Sequence, residues 1–249
     1  MDKEATITAG VIIIGNEILS GRTQDTNVSY IGKRLDDFGI RIAEVRIIAD
    51  VENIIIEHVN HFRHTYDYVF ITGGIGPTHD DVTAQSIAVA FSVELKKNKI
   101  ALAAMKKFYP AKEFNNEQEK MAYIPVGAKL INNSISGAPG FQLENVFVLA
   151  GVPKIMQSMF DAISDRLHRG DPISTASVST NLGESIFAAT LGKLQQQYTD
   201  ISIGSYPHFH ATAPVVTLVM RGNNPQDIAK LKKELVTILQ ALGGEVFDP

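Results

Sequence analysis

The hydrophobic pattern of the chain alternates between two periods. Short β-branched runs, such as those at residues 7–14 and 68–72, predict buried strands. Between them, apolar residues recur every three or four positions from Asn27 to Phe38, which predicts a helix that ends at Gly39. Strand and helix patterns therefore follow one another along the first part of the chain.

The same patterns assign most of the residues up to position 167. Asp50 follows a strand pattern and could cap the next helix. Residues 96–125 have a helical pattern that Pro110 and Pro125 interrupt. The other predicted elements are a strand at Ile40–Ile48, a helix from Val51 to Phe62, a helix from Ala84 to Phe91, a strand at Val146–Leu149 and a helix from Lys154 to Leu167.

This order predicts an α/β domain in which a mostly parallel sheet has helices on its faces. Ligands of such sheets bind beyond the carboxyl ends of the strands, where the loops at residues 15–26 and 73–81 emerge. After residues 168–172 the order becomes strand, helix, strand, strand, helix, which predicts a small α+β domain. We expect one domain over residues 1–169 and a second over residues 170–249.

Composition narrows the class of function. The 249 residues carry a net charge of −4 and no basic cluster, which argues against binding to nucleic acid. The absence of cysteine excludes disulfides, zinc–thiolate sites and thiol nucleophiles. No apolar run is long enough to span a bilayer, and the charged start of the sequence lacks the features of a secretory signal. We therefore expect a cytoplasmic protein that binds neither nucleic acid nor membrane.

The segment TGGIGPTHDDVT, at residues 72–83, is the first candidate site. The backbone amides of Gly73, Gly74 and Gly76 can converge on an anion, and a helix that begins after the loop favours negative charge there. A tight strand-to-helix turn would need the same glycines, so the glycines alone leave both interpretations open. The loop matches neither a Walker A sequence nor a GxGxxG fingerprint.

Two acidic residues, Asp80 and Asp81, directly follow these glycines. Either one could cap the helix. A pair of carboxylates beside a phosphate-binding loop is repulsive, however, unless a cation lies between them, and Mg²⁺ is bound by one or two carboxylates together with substrate phosphates. The pair therefore favours phosphate chemistry that depends on a divalent metal such as Mg²⁺, Mn²⁺ or Co²⁺.

The first loop, GNEILSGRTQDTN at residues 15–27, adds Glu17 and Asp25 at the same edge of the sheet. Taken separately, Asp25 or Asn27 could cap the following helix, and Glu17 could be a solvated charge. Taken together with the second loop, the chain offers four candidate metal ligands around one crevice: Glu17, Asp25, Asp80 and Asp81.

Both loops resemble segments of a known family. TGGIGPTHDDVT resembles the signature loop of the MoaB/Mog molybdopterin-binding domain superfamily, and GNEILSGRTQDTN resembles its CinA-like branch and the corresponding domain of FAD synthase. APGF at residues 138–141 and GVP at 151–153 are similar to further segments of that branch. The second domain contains LQQQYTDISIGSYP, which resembles the sequence that follows in FAD synthase. The resemblance covers essentially the whole chain and implies a three-layer α/β/α core with a small C-terminal α+β domain.

The resemblance also implies roles. By motif position, Asp25 and Asp81 match the two catalytic acids of Mog-type enzymes. The likeness to CinA-like and FAD-synthase domains implies a divalent-metal-dependent pyrophosphatase that cleaves ADP-ribose or FAD, and the family resemblance implies a homo-oligomer. The implied ligand is a nucleotide or a pterin, with molybdopterin among the candidates. The phosphate- and ligand-binding residues would be Asn16, Ser20, Asn27, Gly73, Gly74, Gly76, Thr78, Pro139, Gly140, Gly151 and Pro153.

Several residues depart from the family pattern. Asn16 stands where an acid is usual, Ala150 where proline is usual, and Ile155 where glutamate is usual. These departures leave two alternatives open: a molybdenum-cofactor biosynthesis enzyme or molybdopterin carrier, and a non-catalytic ligand-binding module. The substrate, the metal and the number of subunits are not determined by the sequence.

Overall fold

The computed structural model describes residues 7–108, 114–209 and 214–248, and these form two compact units. The first unit contains the described residues up to Leu35 and those from Ile40 to Gly170. The second contains Asp36–Gly39 and the described residues from Asp171 onward.

A six-stranded sheet organises the first unit, in the strand order β2-β1-β3-β8-β7-β6. Its first four strands are parallel, whereas β7 is antiparallel to both β8 and β6. The strands are β1 Ile7–Ile14, β2 Ile40–Ile48, β3 Tyr68–Thr72, β6 Lys129–Ile131, β7 Gly140–Leu143 and β8 Val146–Leu149, while β4 Leu95–Lys97 and β5 Tyr123–Pro125 pair separately. The helices are α1 Asn16–Leu19, α2 Asn27–Asp37, α3 Glu52–Thr65, α4 Thr83–Ala90, α5 Lys99–Phe108, α6 Asn116–Lys120 and α7 Pro153–Asp161.

Helices cover both faces of this sheet. On one face, Val59 and Phe62 of α3 and Ile87 of α4 are fully buried with Ile12 and Ile71 of the central strands. On the other face, Phe160 of α7 packs against the ring of Phe70, with 5.5 Å between ring centroids. Because both faces are covered, β3 is buried at every residue, which explains its continuous apolar sequence.

The carboxyl ends of the parallel strands are aligned. In the sheet register Ile14 pairs with Ile48, and Thr72 pairs with both Ile13 and Leu149. The loops that follow β1, β2, β3 and β8 therefore leave the sheet at one edge, as the parallel pattern predicts.

The second unit is an antiparallel sheet with the strand order β10-β11-β9-β12 and two helices. Leu194 of one helix and Leu231 and Leu235 of the other are buried against Val178 and Leu218 of the strands. The elements are β9 Ser174–Thr180, α8 Glu184–Gln197, β10 Ile201–Phe209, β11 Pro214–Gly222, α9 Pro225–Ala241 and β12 Val246–Phe247. A mostly parallel α/β core with a small α+β unit confirms the predicted fold class.

Some predicted elements are wrong in detail. Residues 96–125 are not one interrupted helix, because β4 and β5 lie at its ends and pair with each other around α5 and α6. Pro125 belongs to β5, and Pro110 lies outside the described residues. The predicted helix from Lys154 to Leu167 ends as α7 at Asp161 and is followed by a 3-10 helix at Ser164–Arg166. None of the helices in the described ranges is long and apolar enough to cross a membrane.

Candidate functional site

The turn after β3 is built around two glycines that no other residue could replace without strain. Gly73 and Gly74 have φ angles of 103° and 66°. A Cβ atom at Gly73 would lie 2.1 Å from the carbonyl oxygen of Ile14, and one at Gly74 would lie 2.1 Å from Oγ1 of Thr83. The backbone of this turn therefore approaches β1 and α4 as closely as its atoms allow.

Thr83, the first residue of α4, holds the glycine turn in place. Its buried hydroxyl donates to the carbonyl oxygen of Gly73 at 3.1 Å, and its amide donates to the carbonyl oxygen of Gly74 at 3.0 Å. The tight strand-to-helix turn, which is one of the two interpretations that the sequence leaves open, is therefore present. The packing of this turn is by itself a sufficient reason for glycine at both positions.

Asp81 organises the second half of the loop. Its Oδ2 accepts hydrogen bonds from the backbone amide of Thr78, at 2.8 Å, and from the Thr78 hydroxyl. A Cβ atom at Gly76 would lie 2.6 Å from the same oxygen, so glycine lets the loop close over the carboxylate. Oδ1 of Asp81 has no hydrogen bond to the described residues.

Asp50 is a site residue that the sequence interpretation assigned wrongly. It does not cap α3, which begins at Glu52 with Val51 as its N-cap and has no side-chain capping bond. Instead, Oδ2 of Asp50 accepts from the backbone amide of Asn16 at 2.8 Å, which joins the ends of β1 and β2. Its Oδ1 points toward the glycine turn, 3.6 Å from the position of a Cβ at Gly74.

Two neighbouring carboxylates repel the carboxylate of Asp50. Burial raises the pKa of its carboxyl group above the ordinary value, and the negative charges of Glu17 and Asp80 raise the pKa further. Asp80 is exposed, and its pKa is lowered by Thr78, whose hydroxyl also donates to Asp81. Three carboxylates are therefore close enough to interact beside the glycine turn.

These acids do not form a preformed metal-binding site. Over the described ranges, no three His, Cys, Asp or Glu side chains converge in an arrangement that could hold a metal ion. The Glu17 carboxylate lies over Gly15, where a Cβ atom would be 2.6 Å from its Oε1. Asp25 accepts from the amide of Val28 at 3.0 Å and so caps α2, as one of the sequence alternatives predicts.

A large cavity of about 280 Å³ opens beside the glycine loop. Its lining includes the polar residues Thr78, Asp81 and Gln85 and the apolar residues Met121, Ile124 and Phe141. Lys120 and Tyr123 also line it. A ligand that carries both a charged group and a flat apolar group matches this mixture of polar and apolar residues.

A small cavity of about 60 Å³ lies at the ends of β1, β3 and α2. Asn27 on its wall donates from Nδ2 to the carbonyl oxygen of Gly151 at 2.9 Å, which ties α2 to the loop after β8. Gly151 in turn packs against Gly73, since a Cβ atom on it would lie 3.3 Å from Cα of Gly73.

The structure divides the predicted site residues between the two cavities. Gly74, Gly76, Thr78, Asp81 and Pro139 line the large one. Glu17, Asp25, Asn27, Gly151 and Pro153 line the small one. The remaining five, Asn16, Ser20, Gly73, Asp80 and Gly140, line neither.

Three of those five have structural tasks. Asn16 holds Asp50 through its backbone amide, and the Ser20 hydroxyl donates to the carbonyl oxygen of Glu17 at 3.2 Å within α1. Gly140 is buried in β7, where a Cβ atom would lie 2.4 Å from the carbonyl oxygen of Val148. Close packing of strands, rather than approach to a ligand, requires glycine at that position.

Sequence reasoning missed Asp50, Thr72, Gln85, Lys120 and Tyr123 as site residues. Asp50 could have been found, because it follows β2 at the same sheet edge as the candidate loops at residues 15–26 and 73–81. Lys120 and Tyr123 could not, because residues 96–125 were assigned as helix and nothing in their pattern places them at the same cavity as Asp81.

Two family models together match most of the chain. A model described as "Probable molybdopterin binding domain" matches residues 10–169. A model described as "FAD synthase, middle domain" matches residues 172–243.

Similar proteins span both matches. A protein of Archaeoglobus fulgidus is 33% identical over 229 residues, which covers 92% of this chain and 96% of that protein. A protein of Caenorhabditis elegans named "Probable FAD synthase" is 32% identical over 226 residues, which covers 80% of this chain but 44% of that protein. A crystal structure described as the protein CinA, of unknown function, from Thermoplasma acidophilum is 33% identical, has a TM-score of 0.60 and covers 65% of this chain and 99% of its own.

Proposed function

The chain belongs to the molybdopterin binding domain family, with an FAD synthase middle domain after it, and we propose that it is a divalent-metal-dependent pyrophosphatase. Its substrate would be an ADP-ribose-like or FAD-like phosphoanhydride. Both the CinA likeness and the FAD synthase likeness agree with the resemblance that the sequence motifs indicate.

One observation carries this proposal: Asp50 is partly buried beside a close-packed glycine turn, with Glu17 and Asp80 repelling it. Such repulsion is costly for a fold and is characteristic of sites that bind a cation or move a proton. A phosphate arriving at the same turn would add further negative charge. A cation that binds together with the substrate would relieve both repulsions.

The side chains present fit a metal that is bound jointly with the substrate rather than a resident ion. Mg²⁺ takes one or two carboxylates and completes its shell with water and phosphate oxygens, so it does not need three converging protein ligands. Asp80 and Glu17, the two charges that raise the pKa of Asp50, would supply those carboxylates. When bound, the metal would neutralise charge on the phosphates.

The chain's own groups would perform the remaining tasks. The glycine turn brings its backbone close to the phosphates, and Asp81 keeps the loop closed through Thr78. Asp50, whose pKa is raised, is suited to accept a proton from the attacking water. The apolar residues that line the large cavity would bind the flat ring of the nucleotide.

The purified 249-residue protein tests the proposal. ADP-ribose and FAD are incubated with Mg²⁺, Mn²⁺ or Co²⁺, and release of AMP is followed by chromatography. We expect AMP only when a divalent metal is present. The Asp50→Asn variant, whose amide oxygen can still accept from the amide of Asn16 but cannot take up the proton, should lose about 100-fold or more in rate. The exposed Asp165→Asn serves as the matched control and should keep the wild-type rate.

The alternatives correspond to other outcomes. Nucleotide binding without any release of AMP would favour the non-catalytic ligand-binding module, for which the replacement of an acid by Asn16 is the supporting observation. Tight pterin binding with no binding of either nucleotide would favour the molybdenum-cofactor alternative.

A further inference from the structure

The sheet of the second unit has one long outer edge. Strand β10 is the outermost strand of this sheet, and among the described residues it pairs with β11 alone, over nine consecutive positions without a register shift. The opposite edge is β12, which has only two residues. A long outer strand presents backbone groups that can pair with a strand of another molecule. The edge of β10 is therefore where copies of this chain could join their sheets.

A glutamine side chain covers the first part of this edge. Oε1 of Gln195, on α8, accepts from the backbone amide of Ile203 at 2.9 Å, and its Nε2 donates to the carbonyl oxygen of Ile201 at 2.8 Å. Nε2 also donates to the carbonyl oxygen of Tyr198 at 3.2 Å, so both of its hydrogen atoms have acceptors. These three bonds hold the carboxamide in one orientation against the strand.

The two bonds to β10 reproduce the pairing of a parallel strand. In a parallel ladder, one residue donates to the carbonyl that precedes the residue opposite it and accepts from the amide that follows that residue. Gln195 does the same to Ile201 and Ile203, on either side of Ser202. Its carboxamide thus takes the position of one residue of a further strand. A strand of another molecule cannot pair there at the same time.

The rest of the edge has few donors. Backbone groups point to alternate sides along an antiparallel strand, so those of residues 201, 203, 205 and 207 share the outer side. The amides of Ile201 and Ile203 donate to Tyr198 and Gln195, and Pro207 has no amide hydrogen. Between residues 201 and 207, these contacts leave Ser205 as the outer amide that they do not cover. Proline on an outer strand is itself a common barrier to pairing.

We propose that Gln195 is an edge cap that prevents two copies of this chain from joining their second-unit sheets through β10. The excluded partner is a second copy, because every copy offers the same edge and two antiparallel β10 strands can pair about a two-fold axis. The cap does not depend on the proposed function, since both cavities are lined by residues of the first unit.

Binding of a peptide with the sequence of the edge tests the proposal. A fluorescein-labelled, amidated peptide ISIGSY, residues 201–206, is titrated with the 249-residue protein and followed by fluorescence anisotropy. We expect Gln195→Leu to bind it at least about tenfold more tightly than the wild type, because two backbone groups become available for pairing. Gln196→Leu, at the exposed neighbouring position of α8, is the matched control and should behave like the wild type.

Gln195→Lys distinguishes an open edge from a loosened unit. It also lacks the acceptor for Ile203, but it places a charge at the edge, which opposes pairing, so it should bind the peptide no more tightly than the wild type. A peptide with Ile203→Pro lacks one donor and should bind Gln195→Leu more weakly than the original peptide. Equal affinity of Gln195→Leu and wild type, equal gains in Gln195→Leu and Gln195→Lys, or equal affinity of the two peptides would overturn the proposal.

Sedimentation velocity identifies the second copy as the partner. As protein concentration rises, Gln195→Leu should form a species of about twice the wild-type mass, which the wild type and Gln196→Leu do not form. The same mass distribution for all three proteins would overturn the proposal, even if the peptide binds.

Hydrogen exchange in the wild type tests the cap without any variant. The amide of Ile203 donates to Gln195, so it should exchange more slowly than the amide of Ser205, which lies on the same side of the same strand. Both rates can be measured by nuclear magnetic resonance. Equal rates would show that the cap is not formed in solution and would overturn the proposal, whether or not Gln195→Leu folds.

Discussion

At the scale of single residues, Asp50 shows how function and stability oppose each other in this protein. Burial and two neighbouring acids make its ionised form unfavourable in the folded state. The strand ends nevertheless hold it there through the amide of Asn16. A carboxylate kept in an unfavourable position is a candidate for chemistry rather than for stability.

Replacing Asp50 should therefore stabilise the fold at neutral pH. Because the folded pKa lies above the ordinary value of 3.8, the folded wild type binds more protons than the unfolded chain, and its stability falls as pH rises through this range. Asp50→Asn lacks this loss, and its amide oxygen can still accept from Asn16. We expect a melting temperature at or above that of the wild type at pH 7, with the difference disappearing as pH falls below 3.8.

Calorimetric scans of Asp50→Asn and wild type across this pH range check the prediction. Asp165→Asn, at an exposed position, should show no such pH-dependent difference. A variant that is less stable than wild type at pH 7, yet equally stable below pH 3.8, would mean that the charge of Asp50 stabilises the fold.

At the scale of elements, the packing of the glycine turn on the first residue of α4 determines the geometry of the site. Thr83 contributes a buried hydroxyl to Gly73 and an amide to Gly74. The helix therefore positions the loop as much as the strand does. The same helix contributes Gln85 to the wall of the large cavity. A substitution in its first turn should therefore affect both the loop and the cavity.

Thr83→Val should loosen this connection. It keeps the shape of the side chain but removes the hydrogen bond to Gly73, which should lower the free energy of unfolding by about 1 kcal/mol. Thr83→Ser keeps the hydroxyl and serves as the control. Chemical denaturation followed by circular dichroism suits a chain that contains no tryptophan. Equal stability of the two variants would show that the hydroxyl bond contributes nothing to the loop.

At the scale of the whole molecule, both cavities are lined by residues of the first unit alone. The second unit has a hydrophobic core of its own, in which Leu231 is fully buried. Stability of the second unit and ligand binding by the first are therefore expected to respond to different substitutions.

Leu231→Ala tests this separation. Loss of a fully buried leucine should destabilise the second unit by about 2 to 5 kcal/mol. ADP-ribose affinity, measured by calorimetry well below the unfolding temperature, should stay within about twofold of wild type, because Leu231 belongs to a separate hydrophobic core and shares no partner with the cavity residues. Leu242→Ala, at a position that is 41% exposed, is the matched control and should change stability much less. A parallel fall in ADP-ribose affinity for Leu231→Ala would mean that the second unit contributes to the site.

The sequence by itself determined the order of strands and helices up to α4, the sheet edge from which the loops emerge and the family of the chain. These follow from local causes: apolar periodicity, β-branched runs, and glycines at positions that no side chain could occupy. Parallel strands bring the loops after β1 and β3 to one edge wherever their exact ends lie, so the candidate loops could be found without a structure.

Only the tertiary structure decided which side of the glycine turn each side chain occupies. The loop residues Asp25 and Asp81, predicted as one catalytic pair, line different cavities, because Asp25 caps α2 while Asp81 closes its own loop. Asp50 looked like a helix cap until the register of β1 and β2 joined it to Asn16. The directions of side chains depend on backbone dihedral angles and on contacts between segments distant in the chain, and no local pattern encodes those contacts.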